Sequence, residues 1–135
     1  MLIKNATLPD GRSGIDVLVR EGRIAALGPN LAAPEGVQVI EAAGQLLSPP
    51  FVDAHFHMDA TLSVGLPRVN ESGTLLEGIA LWGELKPQLT QQALVERALQ
   101  YCDWAVAKGL LAIRSHVDVC DERLLAVEAL LHVRE

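Results

Sequence analysis

Aromatic side chains make up only 4% of the 135-residue sequence, and cysteine occurs just twice. Cys102 and Cys120 have no Cys-x-x-Cys spacing, which excludes a disulfide scaffold and a four-cysteine zinc module. Two free thiols of this kind are expected to be buried among apolar neighbours. Basic residues are scarce as well: 11 lysines and arginines face 17 aspartates and glutamates, a formal net charge of −6. Such a chain lacks the positive footprint that phosphate backbones attract, which argues against nucleic acid as a partner. No apolar run approaches the roughly 20 residues that cross a bilayer, so no membrane span is expected. Met1–Lys4 gives way to polar Asn5 and a turn rather than to the apolar core of a secretory leader. The expected compartment is the cytoplasm. G-x-G-x-x-G, P-loop and G-x-S-x-G motifs are missing too. So is the His-x-Glu with Pro-Cys-x-x-Cys signature of one class of zinc deaminases.

Half of the residues are hydrophobic, which suits one ordinary domain or a piece of a larger one and argues against disorder. The first 48 residues read as short strands and turns. Leu2–Leu8 is a strand candidate, and Pro9-Asp10-Gly11 a turn. Ile15–Arg20 and Arg23–Leu27 flank Glu21-Gly22 as a hairpin, and Val37–Ile40 is a fourth strand. Four such strands make a sheet too thin to hold a core by itself.

The texture changes after Gln45. Leu46–His57 is an apolar run in which, from Phe51, side chains alternate. Phe51, Asp53, His55 and His57 fall on one face, and Val52, Ala54 and Phe56 on the other. After a loop over 58–73, Thr74-Leu75-Leu76-Glu77 reads as a capping box. The helix it opens carries Leu75, Ile79, Trp82 and Leu85 on one side and stops at Pro87. Thr90 starts a longer helix with the stripe Leu94, Ala98, Tyr101, Cys102 and Ala105, ending at Gly109. A second strand runs from Leu111 to Asp118, with Ala112, Arg114, His116 and Asp118 on its polar face. Asp121 is expected to cap a last helix through Leu124, Leu125, Val127 and Leu131. Trp82 and Trp104 fit helix stripes as packing residues.

The residues with the sharpest chemical meaning are His55 and His57. Two histidines two apart on a strand point the same way, and imidazole nitrogen is a ligand for divalent metals. The competing reading is two histidines near a strand end that are merely exposed or hydrogen-bonded. Asp59 can orient a ligand histidine or be a solvated loop carboxylate. Asp53 is expected to make a structural hydrogen bond. His116 and Asp118 can line a pocket or belong to a satisfied polar network, and Arg114 needs a partner if buried.

Several separated motifs carry a resemblance. They are Ile3-Lys4-Asn5-Ala6, Arg20-Glu21-Gly22-Arg23-Ile24, Ser48–Asp59, Asn70-Glu71-Ser72-Gly73-Thr74-Leu75 and Arg114-Ser115-His116-Val117-Asp118-Val119. Together they resemble the amidohydrolase superfamily, within it the cytosine deaminases and the N-isopropylammelide amidohydrolases, over nearly the whole chain. The resemblance implies an α/β fold. It would be the N-terminal part of a metal-dependent (β/α)8 barrel of the TIM type, preceded by part of a small β-sandwich. Residues 1–48 would be the N-terminal strands of the sandwich and 49–135 the first two β/α units of the barrel.

The resemblance further implies one divalent metal ion, iron or zinc, held in part by His55 and His57. Asn70, Ser72 and His116 would face a nucleobase or triazine substrate, with Asp59 and Asp118 orienting the ligands from behind. The implied reaction is hydrolytic deamination of an amino-substituted ring, cytosine to uracil or a triazine counterpart. The full-length protein would be a homo-oligomer. Only two of eight barrel units are present, so the chain alone is expected to be inactive, and a non-catalytic assembly module is the reading from another class.

Overall fold

A computed structural model describes residues 1–135. The chain divides into two compact units, Met1–Pro49 and Pro50–Glu135.

The first unit is a four-stranded sheet. Its strands are β1 (Leu2–Ala6), β2 (Ile15–Arg20), β3 (Arg23–Gly28) and β4 (Val39–Glu41), in the spatial order β3-β2-β1-β4. The hairpin joining β2 to β3 turns through Glu21 (φ 50°) and Gly22 (φ 71°). Two successive positive φ values are what a two-residue turn needs to match strand twist, and glycine takes one without steric cost. β4 lies parallel to β1 and antiparallel pairs complete the sheet. Leu8, Ile15 and Val17 form the small core, with Ile3, Val19 and Leu47 packed against it. Two expectations shift here. β1 stops at Ala6 because Asn5 adopts φ 55° and breaks the register. β4 starts at Val39 because the Val37 amide donates to Pro34 in a turn. The buried Asp16 carboxylate accepts the amides of Asn5 and Leu31, at 2.8 and 2.9 Å, and so fixes that break.

The second unit opens with β5 (Phe51–His57) and returns through two helices, α1 (Leu75–Leu85) and α2 (Gln91–Ala107), to β6 (Leu110–His116). The last helix, α3 (Leu125–Arg134), follows. β5 and β6 are parallel neighbours, as a strand–helix–strand crossover requires. Thr74 and Thr90 cap their helices through the amides of Glu77 and Ala93, as the sequence predicts. α2 buries Leu94, Ala98 and Ala105, and its C-terminal turn passes through Gly109 at φ 79°. Leu85, Leu89, Leu94, Ala126 and Ala129 form this unit's core. No helix is long and apolar enough to cross a membrane.

The departures have local causes. On α1 the expected stripe is only half used: Leu85 is buried and Trp82 partly buried, while Leu75 and Ile79 are 79% and 59% exposed, and Leu81, outside the stripe, is buried as well. β6 ends at His116, two residues early, because the Asp118 amide donates to the Asp59 side chain instead of a strand ladder. Asp121 does not cap α3. It accepts from the amide and guanidinium of Arg123, and α3 starts only after Leu124, which stands at φ 49°. Cys102 is half-buried and Cys120 exposed, so the expected burial fails for the second thiol. Cys120 lies in the connection after β6, its amide donating to Asp118.

Leu94 is 1% exposed at the centre of the core. Leu94→Ala is expected to lower stability by about 3 kcal/mol, the usual cost of a leucine-sized cavity, read as a drop in the urea midpoint at unchanged slope.

Candidate functional site

Alternation over the last three residues of β5 places the histidines. The register with β6 is irregular between Asp53 and Phe56, and Asp53 lies near Tyr101, so the expected alternation does not run through the whole strand. Phe56 turns toward α2, where its ring stacks on Tyr101 at 4.3 Å between centroids and 13° between planes. Its neighbours His55 and His57 therefore point to the opposite face. Parallel pairing then sets His57 beside His116 of β6. The three imidazoles cluster, with ring centroids 5.7 Å apart for His55 and His57, 5.6 Å for His57 and His116, and 3.9 Å for His55 and His116. Burial holds the His116 imidazole below its ordinary pKa, and the nearby His55, His57 and Arg114 add to that direction.

Metal–nitrogen bonds of about 2.0–2.1 Å place two ring centroids on one ion roughly 5–6 Å apart. The His55–His57 separation fits that requirement, and so does the softness of imidazole toward iron or zinc. His116 stands too close to His55 to join them, and no three His, Cys, Asp or Glu side chains converge on a point. His55 and His57 thus offer two donors, one fewer than the three protein ligands that a catalytic metal site ordinarily has.

Asp59 lies directly behind this pair. Its side chain is 1% exposed, and Oδ1 is 3.7 Å from His57 Nδ1, a charge contact longer than a hydrogen bond. Oδ1 accepts the Ala60 amide at 3.0 Å, and Oδ2 accepts the Asp118 amide at 2.8 Å. Asp118 faces away from the imidazoles. Its Oδ2 accepts Trp82 Nε1 at 2.7 Å and Lys86 Nζ at 2.9 Å, and its Oδ1 accepts the Cys120 amide at 2.7 Å. The Cys120 amide and then Lys86 hold the Asp118 carboxyl well below the usual carboxylate range, and Asp118 in turn raises Lys86. Asp53 makes the expected structural bond, accepting the His55 amide at 3.1 Å. Arg114 is exposed.

Asn70 and Ser72 sit in the loop before α1, engaged with its N-terminus. Asn70 donates to the Thr74 carbonyl and accepts the Gly73 amide. Ser72 donates its amide to Glu77 at 2.7 Å, and its hydroxyl contacts both Thr74 and Glu77. The capping box is therefore displaced: Glu77 reaches back to Ser72 rather than to the Thr74 amide. Arg68 closes the network with Glu77 and Glu84. A cavity of about 330 Å³ lies between this loop and α1, lined by Arg68, Asn70, Leu81 and Trp82 among others, and no histidine borders it.

Sequence reasoning missed three groups. Trp82 was read as packing, yet its indole N–H is spent on Asp118. Lys86 was not singled out. Arg97, half-buried on α2 with its pKa lowered by burial, donates to the carbonyls of Thr61 and Asp59 and holds the turn after His57. A cation at i+4 from a tryptophan, ahead of an acidic strand end, was the one available signal.

The sequence pattern of the amidohydrolase family matches residues 38–134. The chain belongs to that family. Among solved structures it is similar to 5-methylcytosine deaminase from Klebsiella pneumoniae, at 37% identity and a TM-score of 0.90, over 99% of this chain and 33% of that one. It is 31% identical to the N-isopropylammelide isopropyl amidohydrolase of Pseudomonas sp. (strain ADP), over 100% of this chain and 34% of that protein. A shorter match, 52% identity over 44 residues, links it to the dihydroorotase of Mycobacterium tuberculosis, 33% of this chain and 10% of that one. The chain thus spans about a third or less of the length of these relatives.

The Glu77 carboxyl is lowered from 4.5 to about 2, chiefly by the Ser72 hydroxyl, then by the Ser72 amide and Arg68. A depressed carboxylate stabilises the fold above its unfolded pKa and loses that contribution as pH falls through the folded one. Glu77→Gln is therefore expected to lower the thermal midpoint at pH 6, with the gap to the parent closing between pH 4.5 and 2.

Proposed function

We propose that this chain supplies the first metal-binding strand of an enzyme that hydrolytically deaminates an amino-substituted pyrimidine, most simply cytosine to uracil. The observation that carries the reading is the His55–His57 pair at the C-terminal end of a parallel strand, where barrel enzymes gather their chemistry. The similarity to 5-methylcytosine deaminase along almost the entire chain supports the same substrate class.

A divalent ion held in part by His55 and His57 would make water nucleophilic near neutral pH. Water adds to the ring carbon that bears the exocyclic amine, the C–N bond breaks, and ammonia leaves as the carbonyl forms. The Asp59 carboxylate, 3.7 Å from His57 Nδ1, favours by its charge the tautomer protonated there, which leaves the Nε2 lone pair toward the ion. His116, beside His55 and His57 in the imidazole cluster, offers a ring nitrogen to the substrate at the edge of the pair. Asn70 and Ser72 shape the loop that approaches the ring, through their contacts at the start of α1.

A triazine substrate is the second reading, favoured by the full-chain match to an N-isopropylammelide hydrolase. Isopropylamine rather than ammonia among the products would support it. With two metal ligands and a two-stranded sheet, the 135-residue chain is inert by itself in this proposal.

The test is metal analysis of the purified chain beside a His55→Ala, His57→Ala double variant. Iron or zinc bound by the parent and lost from the double variant is the expected outcome. Metal retained by the double variant overturns the ligand assignment, and ammonia release from cytosine by the purified chain overturns its inertness.

A further inference from the structure

The groups behind His57 form a chain of contacts that ends on a helix. Asp59 Oδ1 faces His57 Nδ1, and Asp59 Oδ2 accepts the backbone amide of Asp118. That amide lies beyond the end of β6, where no strand partner fixes it. Its position depends on the Asp118 carboxylate, which receives three donors: Trp82 Nε1, Lys86 Nζ and the Cys120 amide. Trp82 and Lys86 are one helical turn apart at the end of α1, so a single helix face presents both. Lys86 is the only cation paired with Asp118, and no side-chain cation is paired with the buried Asp59. Arg97 reaches only the Asp59 carbonyl, at 3.5 Å, and that of Thr61.

We propose that Trp82 and Lys86 are positioning residues for His57. Clamping Asp118 fixes the amide that orients the Asp59 carboxylate. The oriented carboxylate, whose Oδ1 stands 3.7 Å from Nδ1, favours by its charge the His57 tautomer protonated at Nδ1 and leaves the Nε2 lone pair free. A buried carboxylate with only two backbone donors can turn when one of them drifts, and its preference for the Nδ1 proton then weakens. The end of α1, in a helix that carries no candidate ligand, thereby controls the readiness of the metal-binding strand. The inference rests on the reading of His57 as a ligand, and its first readout needs no metal.

The experiment uses the metal-free 135-residue chain, labelled with 15N in its histidines and held near pH 8, above the ordinary histidine range. Two-bond proton–nitrogen correlations report the tautomer of each imidazole. His57 is expected as the Nδ1-protonated form in the parent. In Trp82→Phe and in Lys86→Met it is expected to become a mixture, with Lys86→Arg restoring the parent signal and His132 on α3 unchanged throughout. Zinc affinity, titrated on the same samples, is expected to fall about 10-fold in Lys86→Met, the lower end of the range for groups that support a ligand from behind. A purely structural clamp predicts the parent tautomer in every folded variant. An unchanged His57 tautomer in Trp82→Phe, which keeps an aromatic ring and loses one donor, overturns the proposal even if Lys86→Met fails to fold. A change confined to Asp59→Asn likewise overturns it. If His57→Ala leaves zinc affinity unaltered, the ligand reading fails by itself, and the metal-free tautomer still decides whether α1 positions the ring.

Discussion

A carboxylate removed from water must find donors, and Asp59 finds them at two places the chain would otherwise leave loose. One donor is the amide of Ala60, just past the end of β5; the other is the amide of Asp118, just past the end of β6. Satisfying one buried side chain thus ties the C-terminal ends of both parallel strands together. The register His57 beside His116 follows from that tie, and with it the clustering of imidazoles on one face. The second unit has only this short two-stranded sheet to organise its chemistry, so a local polar contact carries what a larger sheet would share among many strands.

Much of this arrangement was legible in the sequence where the signal is periodic or local. The alternation through β5 gave the histidine face, and the threonines at 74 and 90 marked helix starts that the structure keeps. The α2 stripe at Leu94, Ala98 and Ala105 is buried as its spacing required. What could not be read was contact across distance. Trp82 and Lys86 lie 36 and 32 residues from Asp118, and the apolar surroundings of Trp82 disguise its use of a single N–H. The α1 stripe misled for a related reason: periodicity tells which residues share a face, and not whether anything covers that face. Leu75 and Ile79 are apolar at the right spacing and stand exposed.

The two units solve a similar problem in different ways. In the first, Asp16 takes the amides of Asn5 and Leu31 and secures an irregularity in a small sheet. In the second, Asp59 secures the C-terminal ends of two parallel strands whose register is itself irregular. In both, one buried carboxylate substitutes for ladder hydrogen bonds that the backbone does not make, which suits sheets too small to bury much apolar surface. Phe51 and Val52, at the start of β5, are about two-thirds exposed.

The stack of Phe56 on Tyr101 fixes the phase of β5 as well as its packing. Side chains on a strand have no third direction, so moving the chain by one position exchanges its two faces completely. Deleting or inserting a single residue between Phe51 and Phe56 would ask the strand either to expel an aromatic ring from the helix layer or to turn both imidazoles into it. Point replacements along the same stretch leave that parity intact. Outside His55, Phe56, His57 and Asp59, the segment should accordingly tolerate substitution far better than any change in length, and lineages carrying it should keep the count of residues from Phe51 to Asp59 constant.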